Sequence, residues 1–178
     1  MESFKLFING QFESGAATFD SLNPATGQPW ATIAEARAEE VNRAVAAAHQ
    51  AFNAPEWRDL NASMRGKLLM RLADLVEQNA DELARLETLD TGKIIRETRA
   101  QIAYVADYYR YYAGLADKME GRVLSIDKAD TETWTRREPV GVVAAIVPWN
   151  SQLFLSAVKI GPALRKENIP AKLKPLAS

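Results

Sequence analysis

The chain has 178 residues, 47% of them hydrophobic and 25% charged, with a formal net charge of −1. That length holds one domain, or one and a part, and the balance suits a globular chain able to bury a core. A near-zero charge gives no electrostatic footprint for nucleic acid or an anionic membrane surface. With no cysteine, disulfides, thiolate catalysis and thiolate metal sites are all excluded. The opening MESFKLFINGQFESG has no basic flank and apolar core of the secretory type. No stretch approaches the roughly 18 apolar residues of a membrane span. A cytoplasmic protein with neither nucleic-acid nor membrane partners is expected.

Residues 4–34 read as β structure and turns. In FKLFINGQF the Asn9-Gly10 pair between apolar segments is a hairpin signal. SLNPATGQPW follows as a turn-rich connection and ATIAEA as a short extended segment. From Ala38 to Glu120 the pattern is helical. The first helix places Val41, Ala44, Val45, Ala48 and Phe52 on one face and ends at Pro55. Asn61 caps the next, with Leu68, Leu69, Leu72, Leu75 and Val76 as its stripe. Asn79 with Glu82 three residues on suggests a capping box for a third helix that stops at Gly92. A long helix over Ile94–Met119 puts Ile102, Val105, Tyr109, Tyr112 and Leu115 or Ala116 on one side.

GRVLSIDKADTETWTRRE reads as a second hairpin turning at DKAD. VGVVAAIV, residues 140–147, has no alternation, the pattern of a strand buried on both faces of a parallel sheet. With the helix after it, this is half of a βαβ unit. In the tail, Pro170 and Lys172 interrupt IPAKL, so residues 165–178 are expected to be irregular.

Candidate chemistry is sparse. His49 has no second His or Cys with which to hold a metal and reads as a helix-surface residue. Asp90-Thr91-Gly92-Lys93 looks like the end of a phosphate loop, but the upstream glycine is absent, and a helix C-cap at Gly92 accounts for it. No G-x-G-x-x-G follows residues 140–147. Tyr104, Tyr108, Tyr109, Tyr111 and Tyr112 could line a tunnel or pack a core. Asn150 stands where a strand ends and a helix begins, the place where open α/β sheets bind ligands. Its amide could donate to an oxyanion with the helix dipole behind it; it could equally be a plain N-cap.

The run REPVGVVAAIVPWNSQLFLSAVKIGPAL closely resembles the segment of NAD(P)-dependent aldehyde dehydrogenases that enters their cofactor domain. The likeness extends upstream through LFINGQF, NPATG, LETLDTGK, YYAGLADKMEGR and DTETWTRREPVGV, covering roughly residues 5–164. The resemblance implies an α/β fold: an N-terminal hairpin and helical layer (1–120), an oligomerisation-type hairpin (121–138), and the first strand–helix unit of a Rossmann-like sheet (139–164). It implies Asn150 as the oxyanion donor. Ile146, Val147, Pro148 and Trp149 would lie along NAD or NADP, and Lys174 of Leu-Lys-Pro would contact the ribose. Tyr104, Ser151, Phe154, Leu155 and Val158 would line the aldehyde tunnel, and Asp90 would stand near a monovalent cation.

The chain departs from that pattern after Leu164, where RKENIPAK replaces a glycine-containing turn and strand. The resemblance also implies a nucleophilic Cys and a general-base Glu in a region not represented here. A truncated family member, inactive alone and associating through the arm and an unpaired strand at 140–147, is the resulting expectation.

Overall fold

The computed structural model describes residues 1–165 together with the backbone of residues 169–171. The chain begins with three short strands, β1 (Glu2–Phe4), β2 (Leu6–Ile8) and β3 (Gln11–Glu13). β2 and β3 form the Asn9-Gly10 hairpin, and both turn residues have positive φ, as the two-residue turn requires. β4 (Ala17–Asn23) and β5 (Gln28–Glu35) form a longer antiparallel pair. The NPATG turn joins them: Asn23 Oδ1 accepts from the Ala25 N–H at 2.9 Å, and Gly27 N–H bonds back to the Asn23 carbonyl. β1 then adds to β5 in parallel, giving the order β1-β5-β4.

The helical layer follows as α1 (Ala38–Asn53), α2 (Pro55–Arg58), α3 (Ala62–Gln78), α4 (Ala80–Thr91) and α5 (Ile95–Gly114). Asn61 caps α3 as expected, its Oδ1 accepting from Met64 N–H at 2.9 Å. The capping box expected at Asn79 does not form. Its amide instead donates to the Leu75 carbonyl at 2.8 Å, satisfying the end of α3 rather than the start of α4. Gly92 closes α4 with φ +75, the left-handed cap.

Leu69, Ala73, Val105, Ala106, Tyr109, Ala113 and Ala157 form the core, where α3 and α5 meet the helix near the C-terminal end. In α3 Leu69 is in the core and Leu72 and Val76 pack against it as expected, with Arg65, Gly66 and Ala73 also buried, whereas Leu68 and Leu75 are exposed, so the expected stripe is too wide by two leucines. On α1 Ala44 and Ala48 are buried and Val41 and Phe52 half-buried as expected, and only Val45 of that face is exposed. Backbones come close here. A Cβ on Gly66 would lie 2.8 Å from the Ala113 carbonyl oxygen. α5 ends at Gly114 rather than Met119, and tighter i→i+3 bonds at Leu115 and Ala116 finish it.

Past the helices, β6 (Val123–Leu124) and β7 (Thr133–Trp134) make the second hairpin, with Val123 86% and Trp134 63% exposed. β8 covers only Val142–Ala144, not 140–147, and is half-exposed rather than buried on both faces. Gly141 at φ +103 bends the chain before it, so the strand cannot start earlier. After α6 (Gln152–Arg165), β9 (Ile169–Ala171) pairs with β8 in parallel, Pro170 opposite Val143. This corrects two expectations: the tail is not irregular throughout, and β8 is not unpaired. A strand with a neighbour on one side only tolerates a proline, because half of its backbone groups need no ladder partner.

Candidate active site

The extended run leaving β8 alternates in burial: Ala145 and Val147 are inside, Ile146 and Pro148 outside. Pro148 stands at the cap position of a 3-10 turn, Trp149–Ser151, which passes directly into α6. A proline costs little at a helix start, where backbone N–H groups lack helical partners anyway. Asn150 is therefore the middle residue of the turn and not its cap. The N-cap alternative is excluded, and the exposed amide stands in the positive field at the N-terminal end of a 149–165 helical segment.

Two hydrogen-bond sets hold this turn from below. Lys93, just past the Gly92 cap, donates from Nζ to Ser151 Oγ and, at 3.0 Å, to Gln101 Oε1 of α5. It also stands 3.7 Å from Glu87 Oε1. In the second set, Asp90 accepts from Ser21 Oγ and from Gln152 Nε2, each at 2.5 Å, and Trp30 Nε1 donates to Ser21 Oγ at 3.0 Å. The two sets thus tie β4, β5, α4 and α5 to the turn that carries Asn150.

Glu87 is the least comfortable member. Its side chain is 1% exposed, and neither carboxylate oxygen completes a hydrogen bond. Burial pushes its carboxyl above the usual range, against the pull of Lys93 and of the nearby Leu153 N–H, with Asp90 adding to the rise. Beside it lies a cavity of 240 Å³ between the β1-β5-β4 sheet, α4 and the start of α6.

Tyr104 and Phe154 meet across α5 and α6 with ring centroids 5.4 Å apart, and Tyr108 packs edge-on to Phe154 at 5.9 Å. Tyr109 belongs to the core, while Tyr104 and Tyr111 are exposed, so the tyrosine cluster divides between packing and surface. Leu155 and Val158 are half-buried on α6. Ser151 is buried, and its hydroxyl accepts from Lys93.

Of the four residues expected along a cofactor, Ile146 (80% exposed), Pro148 and Trp149 (57% exposed) present surface to solvent, and Val147 is buried. Lys174 lies outside the described residues. Asp90, which the resemblance places near a monovalent cation, accepts from the Ser21 hydroxyl through one oxygen and from the Gln152 amide through the other. Among the described residues no group of three His, Cys, Asp or Glu could hold a metal. Sequence reasoning missed Ser21, Glu87, Lys93 and Gln152. One signal was present: Glu87 and Asp90 share a face of α4 at i, i+3, with Lys93 beyond the cap.

Comparison with known proteins now bears on this geometry. The model of the aldehyde dehydrogenase family matches residues 12–175. Over 164 residues the chain is 70% identical to a (Z)-2-((N-methylformamido)methylene)-5-hydroxybutyrolactone dehydrogenase of Acinetobacter baylyi, covering 92% of this chain and 34% of that protein. It is 45% identical over 163 residues to aldehyde dehydrogenase 1 of Tanacetum cinerariifolium, covering 90% and 32%. Among solved structures, an NAD+ complex of an aldehyde dehydrogenase from Bacillus cereus superposes with TM-score 0.90 at 41% identity, over 95% of this chain and 35% of that one. An NAD-dependent aldehyde dehydrogenase from Sinorhizobium meliloti superposes with TM-score 0.88 at 32% identity, over 95% and 34%. The chain spans about a third of the length of the relatives it matches.

Proposed function

Because the chain belongs to the aldehyde dehydrogenase family, we propose that these 178 residues supply the oxyanion donor and part of the cofactor wall of an aldehyde-oxidising site. The observation that carries this is the exposed amide of Asn150, set in the first turn of a helix and braced by Lys93 through Ser151. An N–H donor held there can bond the oxygen that becomes negative when a nucleophile adds to an aldehyde carbonyl. The helix N-terminus favours that charge before the reaction starts. Removing one such donor costs about a hundred- to a thousandfold in kcat.

The exposed surfaces of Ile146, Pro148 and Trp149 suit a flat ring system, and they would hold NAD or NADP against the end of β8. The bound dinucleotide supplies the hydride acceptor. Tyr104, Phe154, Leu155 and Val158 form an apolar flank on α5 and α6 that keeps water from the substrate's carbon chain. The similarity to the Acinetobacter enzyme supports a substrate of that kind, a hydroxylactone being a cyclised aldehyde acid. A thiol nucleophile has to come from outside this chain, which contains no cysteine; taken alone, the 178 residues do not turn over aldehydes.

The test has two arms. The purified chain, given aldehydes and NAD+ or NADP+, should produce no reduced cofactor above a buffer control. Exchanged for the matching third of the Acinetobacter relative, the same residues should support activity, and Asn150→Ala in that chimera should lose most of kcat. Turnover by the chain alone, or an unaffected Asn150→Ala chimera, would count against the proposal.

A second reading rests on the β6–β7 hairpin. It carries exposed Val123 and Trp134 on a two-stranded ribbon, and such edges seek further strands. As an association module the chain would pair with itself or with a full-length relative. A monomer by light scattering at every concentration would argue against it.

A further inference from the structure

We infer that Asn9, at the tip of the β2–β3 hairpin, is a self-modifying site: its amide is displaced by the Gly10 nitrogen, and the isoaspartate that results loosens the hairpin from α1. Asparagine is among the thermolabile residues, and its neighbours decide how readily it reacts. Asn9 and Gly10 are both exposed and both at positive φ, +50 and +76. Ile8 and Gln11 are the pair that closes the two-residue turn, so Gly10 N–H lies outside the ladder. Among the described residues neither that N–H nor the Asn9 amide has a hydrogen-bond partner. A carbon built on Gly10 meets nothing within 4 Å, so no other element crowds that side of the turn. The other described asparagines are held. Asn23 precedes Pro24, whose nitrogen has no proton to lose, and its Oδ1 accepts from Ala25 N–H. Asn53 and Asn79 donate to helix carbonyls, and Asn61 accepts from Met64 N–H. Asn42 and Asn150 sit in helical turns, followed by Arg43 and Ser151 rather than glycine.

The reaction balances with water alone. The Gly10 nitrogen passes its proton to hydroxide and attacks Asn9 Cγ. The Cγ–Nδ2 bond breaks, and the nitrogen leaves as ammonia after taking a proton from water. The five-membered imide then adds one water. Opening at Cγ gives an aspartate; opening at the backbone carbonyl gives isoaspartate, whose main chain runs through the former side chain and is longer by one carbon. Attack needs a rotation at Asn9 that opens the turn, and an exposed turn opens locally without disturbing the core. Either product adds one negative charge to the formal −1 of the chain, since aspartate is ionised at neutral pH. The two products differ in shape. Aspartate before glycine suits the same turn. The longer backbone does not, and it displaces the strand pair Phe7 and Phe12, whose rings stand 5.0 Å apart. It also bears on Glu13, which accepts from Arg43 of α1 at 2.7 Å.

The test holds the purified 178-residue chain at neutral and mildly alkaline pH and samples it by peptide mapping and anion exchange. The mass change of an amide becoming an acid is expected at Asn9 before any other asparagine, with a shift of one charge in elution. It should run faster at the higher pH, because the attacking nitrogen must lose its proton. Isoaspartate, read by fragmentation or by an isoaspartyl-specific methyltransferase, should accompany aspartate, whereas direct hydrolysis of the amide gives aspartate alone. That distinction needs no variant to fold. Asn9→Asp supplies the aspartate product and should unfold at the parent's midpoint, while the isoaspartate fraction unfolds earlier. The free peptide KLFINGQFES sets the time scale. An unchanged Asn9 once that peptide has fully converted, earlier conversion at another asparagine, aspartate without isoaspartate, or an isoaspartate fraction as stable as the parent overturns the proposal.

Discussion

The Lys93 ammonium donates to the Ser151 hydroxyl, tying the residue that follows the α4 cap to the residue that follows Asn150. The same ammonium faces Glu87 at 3.7 Å and Gln101 at 3.0 Å, so one side chain ties α4 and α5 to the turn. Replacing it strands a buried carboxylate. Lys93→Met should therefore destabilise the fold by about 1–3 kcal/mol, less than the loss of a fully buried pair because Lys93 is partly solvated. Urea unfolding measures this. The double variant with Glu87→Gln should recover most of the loss; simple additivity of the two changes would show that the residues are not coupled.

Glu87 also sets a pH dependence whose sign is fixed by burial. Its carboxyl is raised from the ordinary value of 4.5, with Lys93 and the Leu153 N–H opposing and Asp90 reinforcing the rise. The folded state thus holds this proton more tightly than the unfolded chain. The contribution to stability is complete below about pH 4.5 and disappears as pH climbs through the folded-state pKa. Exposed carboxylates that are pulled down, such as Glu82 beside Arg85, act in the opposite direction. The comparison must be differential. Urea midpoints from pH 4 to 8 should show Glu87→Gln gaining on the parent chain as pH rises, and a flat difference would contradict the assignment.

The two capping asparagines should separate cleanly. Asn61→Ala removes the bond to Met64 N–H and should cost about 1 kcal/mol. In Asn79→Asp the bond to the Leu75 carbonyl is lost, because an ionised carboxylate cannot donate. A true α4 N-cap would tolerate that change, whereas here it should destabilise. Thermal unfolding of the two variants, with Asn61→Asp as the neutral reference, distinguishes the roles.

Gly66→Ala should be harmful despite the better helix propensity of alanine. The added carbon falls 2.8 Å from the Ala113 carbonyl, a backbone atom that cannot rotate away. Pushing α3 from α5 there should cost about 1–3 kcal/mol. Gly114→Ala, with nothing within 4 Å of its added carbon, serves as the matched control and should be close to neutral by the same measurement.

Local signals in the chain were legible where the chemistry is local. Asn9-Gly10, Asn61 and Gly92 each act through their own backbone neighbours, and each forms the element expected of it. Helix phase was legible only in part. Ala44 and Ala48 face inward as expected, but Gly66 and Ala73, which carry little weight in a hydrophobic count, are buried on α3 while Val45, Leu68 and Leu75 are exposed. The family resemblance placed Asn150 through the run that contains it. It did not reveal the Lys93 and Asp90 networks beneath, because their partners lie 58 and 62–69 residues away in sequence. β9 was missed because Pro170 argues against a central strand, and the observed pair has only one neighbour per strand among the described residues.

The parallel seating of β1 on β5 has a consequence for the order in which the chain assembles. Glu2 aligns with Ala31, so β1 has no partner until β5 exists, whereas β4 and β5 are already joined by the short NPATG turn. Hairpins close in about 1–10 μs, and a longer loop must then give up further entropy before its ends meet. β1 is thus made before β5 yet fixed in this sheet after it. Phe4, which packs against Trp30 at 5.8 Å and borders the Glu87 cavity, travels with it. During synthesis that cavity stays a doorway, and β1 closes it only once β5 has emerged.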